Sequence, residues 1–182
     1  IGTRQLPFTR EIYIDRSDFN EDTTLSRKKF KVLVPGDFMR LRSAYVIKAE
    51  EVIKDNNGEI TEVHASLIPG TVGENPPQGM KPRGVMHWVS ATEGKQAKVR
   101  IYDRLFKVES PDKGDGDFLD NINADSFSVI ENCWIEPGLV NAAPETGFQF
   151  ERVGYFVADR YEHSVETPVF NKTIGLRDTW KK

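Results

Sequence analysis

Turn-forming residues cut this chain into runs too short for a helical bundle. Fourteen glycines and ten prolines stand among 182 residues, and between them apolar residues alternate or cluster as β-branched and aromatic runs, with little 3.6-residue periodicity. Strands are expected at 10–15, 30–34, 38–53, 60–68, 84–91, 97–106, 126–135, 147–158 and 168–174. Asp55-Asn56-Asn57-Gly58 favours positive backbone dihedrals between two of these runs, so residues 44–68 are expected to form a hairpin. Residues 70–83, with Gly73, Pro76, Pro77, Gly79 and Pro82, cannot sustain a ladder and read as an exposed loop, and 109–117 reads as a second. Asp117 to Ile122 reads as a short helix with Phe118, Leu119 and Ile122 on one side, and 136–146 as irregular. Short strands with long connections must close or pair to protect their edges, so an all-β fold of barrels or sandwiches is expected.

A chain of 20.7 kDa can bury about 70% of its unfolded surface, enough for one substantial core or two small ones. Its net charge of -3 exerts no global pull on nucleic acid, so any RNA binding must come from local clusters. The single Cys133, among Ile130, Trp134 and Ile135, excludes an internal disulfide framework and reads as a packed thiol in a reducing compartment. With no long apolar run and no signal-like start, the chain reads as soluble and cytoplasmic, and Asn171-Lys172-Thr173 as an accidental glycosylation match. A start at Ile1 reads as a piece of a longer protein.

Catalytic readings fail. His64, His87 and His163 share no metal-ligand spacing with one another or with Cys133. Asp112, Asp115 and Asp117 imitate a calcium loop, but its acidic closing position is Asn123. There is no phosphate-cradling glycine loop and no nucleophile with its base.

Two clusters suit a nucleic acid better. Arg27, Lys28, Lys29 and Lys31 are followed by Arg40 and Arg42, which alternate with Met39 and Leu41. In a strand that spacing puts both guanidiniums on one face, a planar donor array for phosphates or base edges, although the residues alone read first as a solvated strand face with surface ion pairs. In Phe148-Gln149-Phe150-Glu151-Arg152, alternation sets Phe148, Phe150 and Arg152 opposite Gln149 and Glu151. The glutamine amide offers donor and acceptor together, which suits a uridine edge, and an arginine can bond or stack on a base. Taken alone, Gln149 is a surface amide and the phenylalanines are core. Lys98 and Arg100, on one face of the 97–106 run, read as solvated rather than as a phosphate track.

The wording is more specific than the pattern. Phe148-Gln149-Phe150-Glu151-Arg152, Gly154-Tyr155-Phe156, Pro168-Val169-Phe170-Asn171-Lys172-Thr173 and Leu176-Arg177-Asp178-Thr179-Trp180 follow Gln5-Leu6-Pro7-Phe8, Arg40-Leu41-Arg42-Ser43-Ala44-Tyr45 and Gly84-Val85-Met86-His87-Trp88-Val89. In this order they resemble the carboxyl-terminal anticodon-binding region of the glutaminyl-tRNA synthetases, a class I family, over nearly the whole chain. The resemblance implies two six-stranded barrels of ribosomal-protein-L25-like type, one inserted in the other. Residues 30–108 would be the distal barrel, and 1–29 with 109–182 the proximal one, its first strand upstream of Ile1.

By the same resemblance Lys31 and Arg40 line anticodon-base pockets, with Arg40 serving the first base, the wobble cytosine. Gln149 serves the second base and Arg152 the third. Val32 departs from the family's arginine for the third base, leaving Arg152, Lys29 or Arg42 as candidate donors. Lys29, Lys172 and Arg177 would touch the tRNA backbone or the catalytic body, and a further middle-base arginine would lie upstream. The implied partners are tRNA(Gln) and an absent catalytic domain, with no DNA and no membrane. No cofactor is expected within these residues, whereas the full-length ligase would use ATP and magnesium. The alternatives are the archaeal and eukaryotic type of glutamyl-tRNA synthetase and a non-catalytic β-barrel protein-interaction module.

Overall fold

The computed structural model describes residues 3–113 and 116–176. They form eleven strands and three short 3-10 turns, with no α-helix among the described residues. Pro7–Thr92 make one compact unit, and Glu93 onward joins the residues before Pro7 in the other. These divisions fall at 6/7 and 92/93 rather than at 29/30 and 108/109. The reason is strand pairing that no local pattern reveals. β1 (Ile12–Tyr13) pairs antiparallel with β6 (Val89–Ser90) inside the first unit. β7 (Lys95–Tyr102) lies inside the sheet of the second.

In the unit of Pro7–Thr92, β2 (Phe38–Leu41), β3 (Val46–Lys54), β4 (Ile60–Ile68) and β5 (Val85–Met86) form a sheet of order β4-β3-β2-β5. The expected hairpin is β3 and β4. Its turn is held by Asp55, whose carboxylate accepts the amides of Asn57 and Glu59, each at 2.9 Å. The expected strand 38–53 is interrupted at residues 42–45, where Ser43 takes a φ of 55° and ends β2 at Leu41. The expected strand 30–34 reduces to one bridge, Leu33 to Phe19. Met39, Leu41 and Val46 are fully buried in the core of this unit, and Trp88 donates its Nε1 hydrogen to the Arg42 carbonyl at 2.9 Å.

The other unit holds a five-stranded sheet of order β8-β7-β11-β10-β9. Its remaining strands are β8 (Phe127–Ile135), β9 (Gly147–Phe150), β10 (Gly154–Ala158) and β11 (Val169–Gly175), and only the β11–β7 pairing in it is parallel. Ala97, Val99, Ile135, Val140, Phe156, Ala158 and Phe170 form its core, with Phe148, Phe150 and Cys133 packed against it. Phe150 stacks on Phe156 with ring centroids 4.3 Å apart. The expected strand 147–158 is a hairpin instead, turning at residues 151–153. The expected helix at 117–122 is a 3-10 turn, Phe118–Asn121, whose Leu119 amide donates to the Asp117 carboxylate at 2.9 Å. The fold is all-β, as expected. Where the resemblance implied six-stranded barrels, the ladders comprise four strands with a two-stranded ribbon in one unit and five strands in the other.

Candidate nucleic-acid interface

In the unit of Pro7–Thr92, two of the predicted site residues adjoin Gly84. β2 runs parallel to the segment it begins, so the Arg40 amide donates to the Gly84 carbonyl at 3.1 Å and Arg40 pairs with Val85. The Lys31 stem crosses the same glycine: a Cβ on Gly84 would lie 3.3 Å from Lys31 Cβ and 3.7 Å from its Cδ. Lys31 and Arg40 therefore both adjoin Gly84, Lys31 through its stem on the side where Met39 Sδ lies 3.7 Å from the same Cβ position, and Arg40 through its backbone amide. Lys29 is exposed in the preceding turn, where its amide donates to the Ser26 carbonyl at 3.1 Å.

Alternation along β2 buries Met39 and Leu41 and turns Arg40 outward. The guanidinium is nevertheless engaged. Its Nη1 donates to the Thr71 carbonyl at 2.6 Å and its Nη2 to the Glu74 carbonyl at 2.6 Å. Arg42 does not share that face through strand alternation, because β2 has ended and Arg42 stands in the turn. Its amide donates to the Met86 carbonyl at 2.9 Å, so its backbone is fixed while its side chain is exposed.

A second arginine cluster escaped the sequence reading. Asp37 accepts two bonds from Arg27 Nη1 at 2.6 and 2.7 Å, and its Oδ2 lies 3.3 Å from Nε of the buried Arg83 without the alignment of a hydrogen bond. Arg27 also donates to the Lys81 carbonyl, and Arg83 to the Leu25 carbonyl. These bonds tie residues 25–27 and 81–83 to the start of β2. A cavity of about 380 Å³ bordered by Arg27, Asp37, Phe38 and Lys81 lies here, and neither Lys31 nor Arg40 lines it.

In the other unit, Gln149 is exposed on β9 while Phe148 and Phe150 turn to the core. It pairs with Tyr155, itself paired with Ile174, so an apolar and aromatic outer surface flanks its amide. Arg152 departs from its expected place. The ladder stops at Phe150, and Arg152 sits in the turn at a φ of 66°, so it does not continue the side of Phe148 and Phe150. Lys172 lies beside this turn: a Cβ on Gly154 would come 3.2 Å from Lys172 Cε and 2.6 Å from the Ile174 carbonyl oxygen. Arg177 lies outside the described residues.

The basic series on β7 is neutralised from within the fold. Lys98 lies 3.3 Å from Glu131. Arg100 donates to Asp159 at 3.2 Å and to Glu162 at 2.5 Å. The Arg100 side chain is only 17% exposed, so it is drawn into the fold by its acids rather than standing on the solvated face expected of it. Among the described residues no three His, Cys, Asp or Glu side chains converge as metal ligands, and no helix is long and apolar enough to cross a membrane.

Each of these two all-β units presents outward polar side chains above an apolar core. The chain belongs to the anticodon-binding domain family of the class I tRNA synthetases for Glu and Gln, whose models match residues 1–68 and 85–159. It is similar to the glutamine–tRNA ligase of Stutzerimonas stutzeri (strain A1501), 51% identical over 99% of this chain and 32% of that protein. It is likewise similar to those of Ectopseudomonas mendocina (strain ymp), 52% identical over 99% of this chain and 32% of that protein, and Vibrio vulnificus (strain YJ016), 52% identical over 100% and 32%. The chain thus spans about a third of the length of these curated relatives.

Proposed function

We propose that these residues read the anticodon loop of tRNA(Gln) for a glutamine–tRNA ligase of the cytoplasm. The observation that carries the proposal is the exposed Gln149 amide on β9, beside Tyr155 and outward of the phenylalanine core, within a chain about half identical to proteins of that name. Proteins reach RNA base edges in single-stranded loops, where unstacked bases can enter separate contacts. Arg40 is assigned to the first base, Gln149 to the second, Arg152 to the third, and Lys31 to an anticodon-base pocket. Arg42 and Lys29 are the further donors available for the third base in place of an arginine at Val32, and Lys172 and Arg177 are assigned to the RNA backbone.

Each bidentate base contact is worth about 1–3 kcal/mol of discrimination, so three of them give strong selectivity. The unit of Pro7–Thr92 is assigned as the inserted one. Residues on both sides of it build the other unit, and Arg4 donates to Glu136 at 2.6 and 2.9 Å across that interruption in sequence. Adenylation of glutamine with ATP and magnesium would belong to the two-thirds of the relatives' length that this chain does not span.

The test is fluorescence anisotropy of the 182-residue chain with a glutamine anticodon stem-loop, the same stem-loop with all three anticodon bases changed, and a glutamate stem-loop, at two salt concentrations. Preference for the glutamine loop at both salts is expected. Equal, salt-sensitive binding to all three would reduce the interaction to electrostatic attraction, and preference for the glutamate loop would move the assignment to that specificity.

A further inference from the structure

The geometry points to Thr71 as the residue that positions the Arg40 guanidinium for discrimination at the first anticodon base, an inference that rests on the role proposed for Arg40 above. Thr71 lies at the start of the 70–83 loop, where neither periodicity nor charge marks it. It is 1% exposed. Its hydroxyl donates to the Ile68 carbonyl at 2.7 Å and accepts the Val46 amide at 2.9 Å, beyond the last pair of the β3–β4 ladder, Val46 with Ile68. Two hydrogen bonds to the sheet fix this residue inside an otherwise solvent-facing loop. Its own carbonyl is thereby set 2.6 Å from Arg40 Nη1, while Glu74, three residues on, sets a second carbonyl 2.6 Å from Nη2. Ala44 contributes a third, long contact to Nη1 at 3.5 Å.

A guanidinium carries five N–H donors in one plane. Bonds to Thr71, Glu74 and Ala44 leave the Nε hydrogen and one Nη2 hydrogen for another acceptor, and they also set the orientation of the plane. Two such donors match the neighbouring acceptors O2 and N3 of cytosine. In uracil N3 carries a hydrogen and opposes one of them. The choice between these bases therefore depends on how firmly the fork is held, because a freely rotating cation would attract either loop through its charge alone. Thr71 is a positioning residue on this account, acting through Arg40.

The 182-residue chain is compared as wild type, Thr71→Val, Thr71→Ser, Gly73→Val and Arg40→Ala. Valine keeps the shape of threonine and removes the hydroxyl, and serine keeps it. Gly73 is exposed with a φ of 73°, where valine is strained, so Gly73→Val shifts the turn that carries the Glu74 carbonyl without touching Thr71. Two readouts are taken: the NMR signals of the Arg40 Nη groups, and the ratio of affinities for stem-loops with cytosine or uracil at the first anticodon position.

Wild type and Thr71→Ser should show separate Nη signals and full cytosine preference. In Thr71→Val and Gly73→Val the signals should merge and the preference should fall about fivefold, the low end of what one bidentate contact supplies. Separate signals with undiminished preference in folded Thr71→Val overturn the inference. If Thr71→Val does not fold, Thr71→Ala takes its place, and the same result in it overturns the inference. Equal losses for both loops in Arg40→Ala mean that the role proposed for Arg40 has failed, and the discriminating role of Thr71 falls with it. If Arg40→Ala abolishes the preference while Thr71→Val and Gly73→Val retain it, the inference about Thr71 alone has failed.

Discussion

Lys31 and Lys172 each lie across a glycine, and the absent side chain is what admits them. A methyl group at Gly84 would lie 3.3 Å from Lys31 Cβ, which the lysine stem relieves by a small shift, so Lys31→Ala is the sharper probe. Stem-loop binding should weaken in it by about 1 kcal/mol, the low end of a base contact, and anisotropy titration checks it; unchanged affinity would separate Lys31 from the RNA. Gln149 is exposed and bonds to no core group, so Gln149→Ala should change stability by no more than about 0.5 kcal/mol. Discrimination at the middle base should nevertheless drop by about 1–3 kcal/mol. A mutant that still rejects a changed middle base as firmly as wild type would remove Gln149 from the site. The burial of Met39 and Leu41 beside an outward Arg40 was legible in the alternation itself. The places of Arg42 and Arg152 were not, since each follows the end of a strand, and the left-handed residues Ser43 and Arg152 carry no local signature strong enough to announce the turn.

Within the five-stranded sheet, Asp159 joins three segments. Its Oδ1 accepts the amides of Tyr161 and Glu162 at 2.9 and 2.8 Å, and its Oδ2 accepts from Asn171 at 2.6 Å and Arg100 at 3.2 Å. Burial alone would push this carboxyl up, yet the bonds from Asn171, Glu162 and Tyr161 and the charge of Arg100 hold it below the ordinary aspartate value. A carboxyl lowered on folding adds stability above its unfolded value, near pH 3.9, and loses that contribution as pH falls through the lowered folded value. Asp159→Asn should therefore cost about 1–3 kcal/mol at neutral pH. The gap from wild type should narrow on acidification below about pH 4, as urea unfolding followed against pH would show. A gap constant across that range would mean that charge is not what Asp159 contributes. The partners of Arg100 lie 59 and 62 positions away, so a reading of β7 by itself could class Arg100 as a surface cation but could not name its acids.

Across the whole molecule the net charge is -3, so long-range attraction to RNA is weak and selectivity must rest on local contacts. Each cation that neutralises a phosphate of a single strand adds about -0.7 to the slope of log affinity against log salt. Lys29→Ala should reduce the slope by about that amount and weaken native and altered loops alike. A loss confined to the native loop would instead make Lys29 a base reader, and salt titration of the mutant distinguishes the two. The all-β class, the β3–β4 hairpin and the loop at 70–83 were determined by the sequence itself. Alternation and turn chemistry act between near neighbours. The division at 92/93, the passage of the Lys31 stem over Gly84, and the carbonyls of Thr71 and Glu74 on Arg40 were decided only by tertiary structure. They depend on strand registers and on backbone groups that every residue carries alike, and only the folded backbone selects which of those groups face one another.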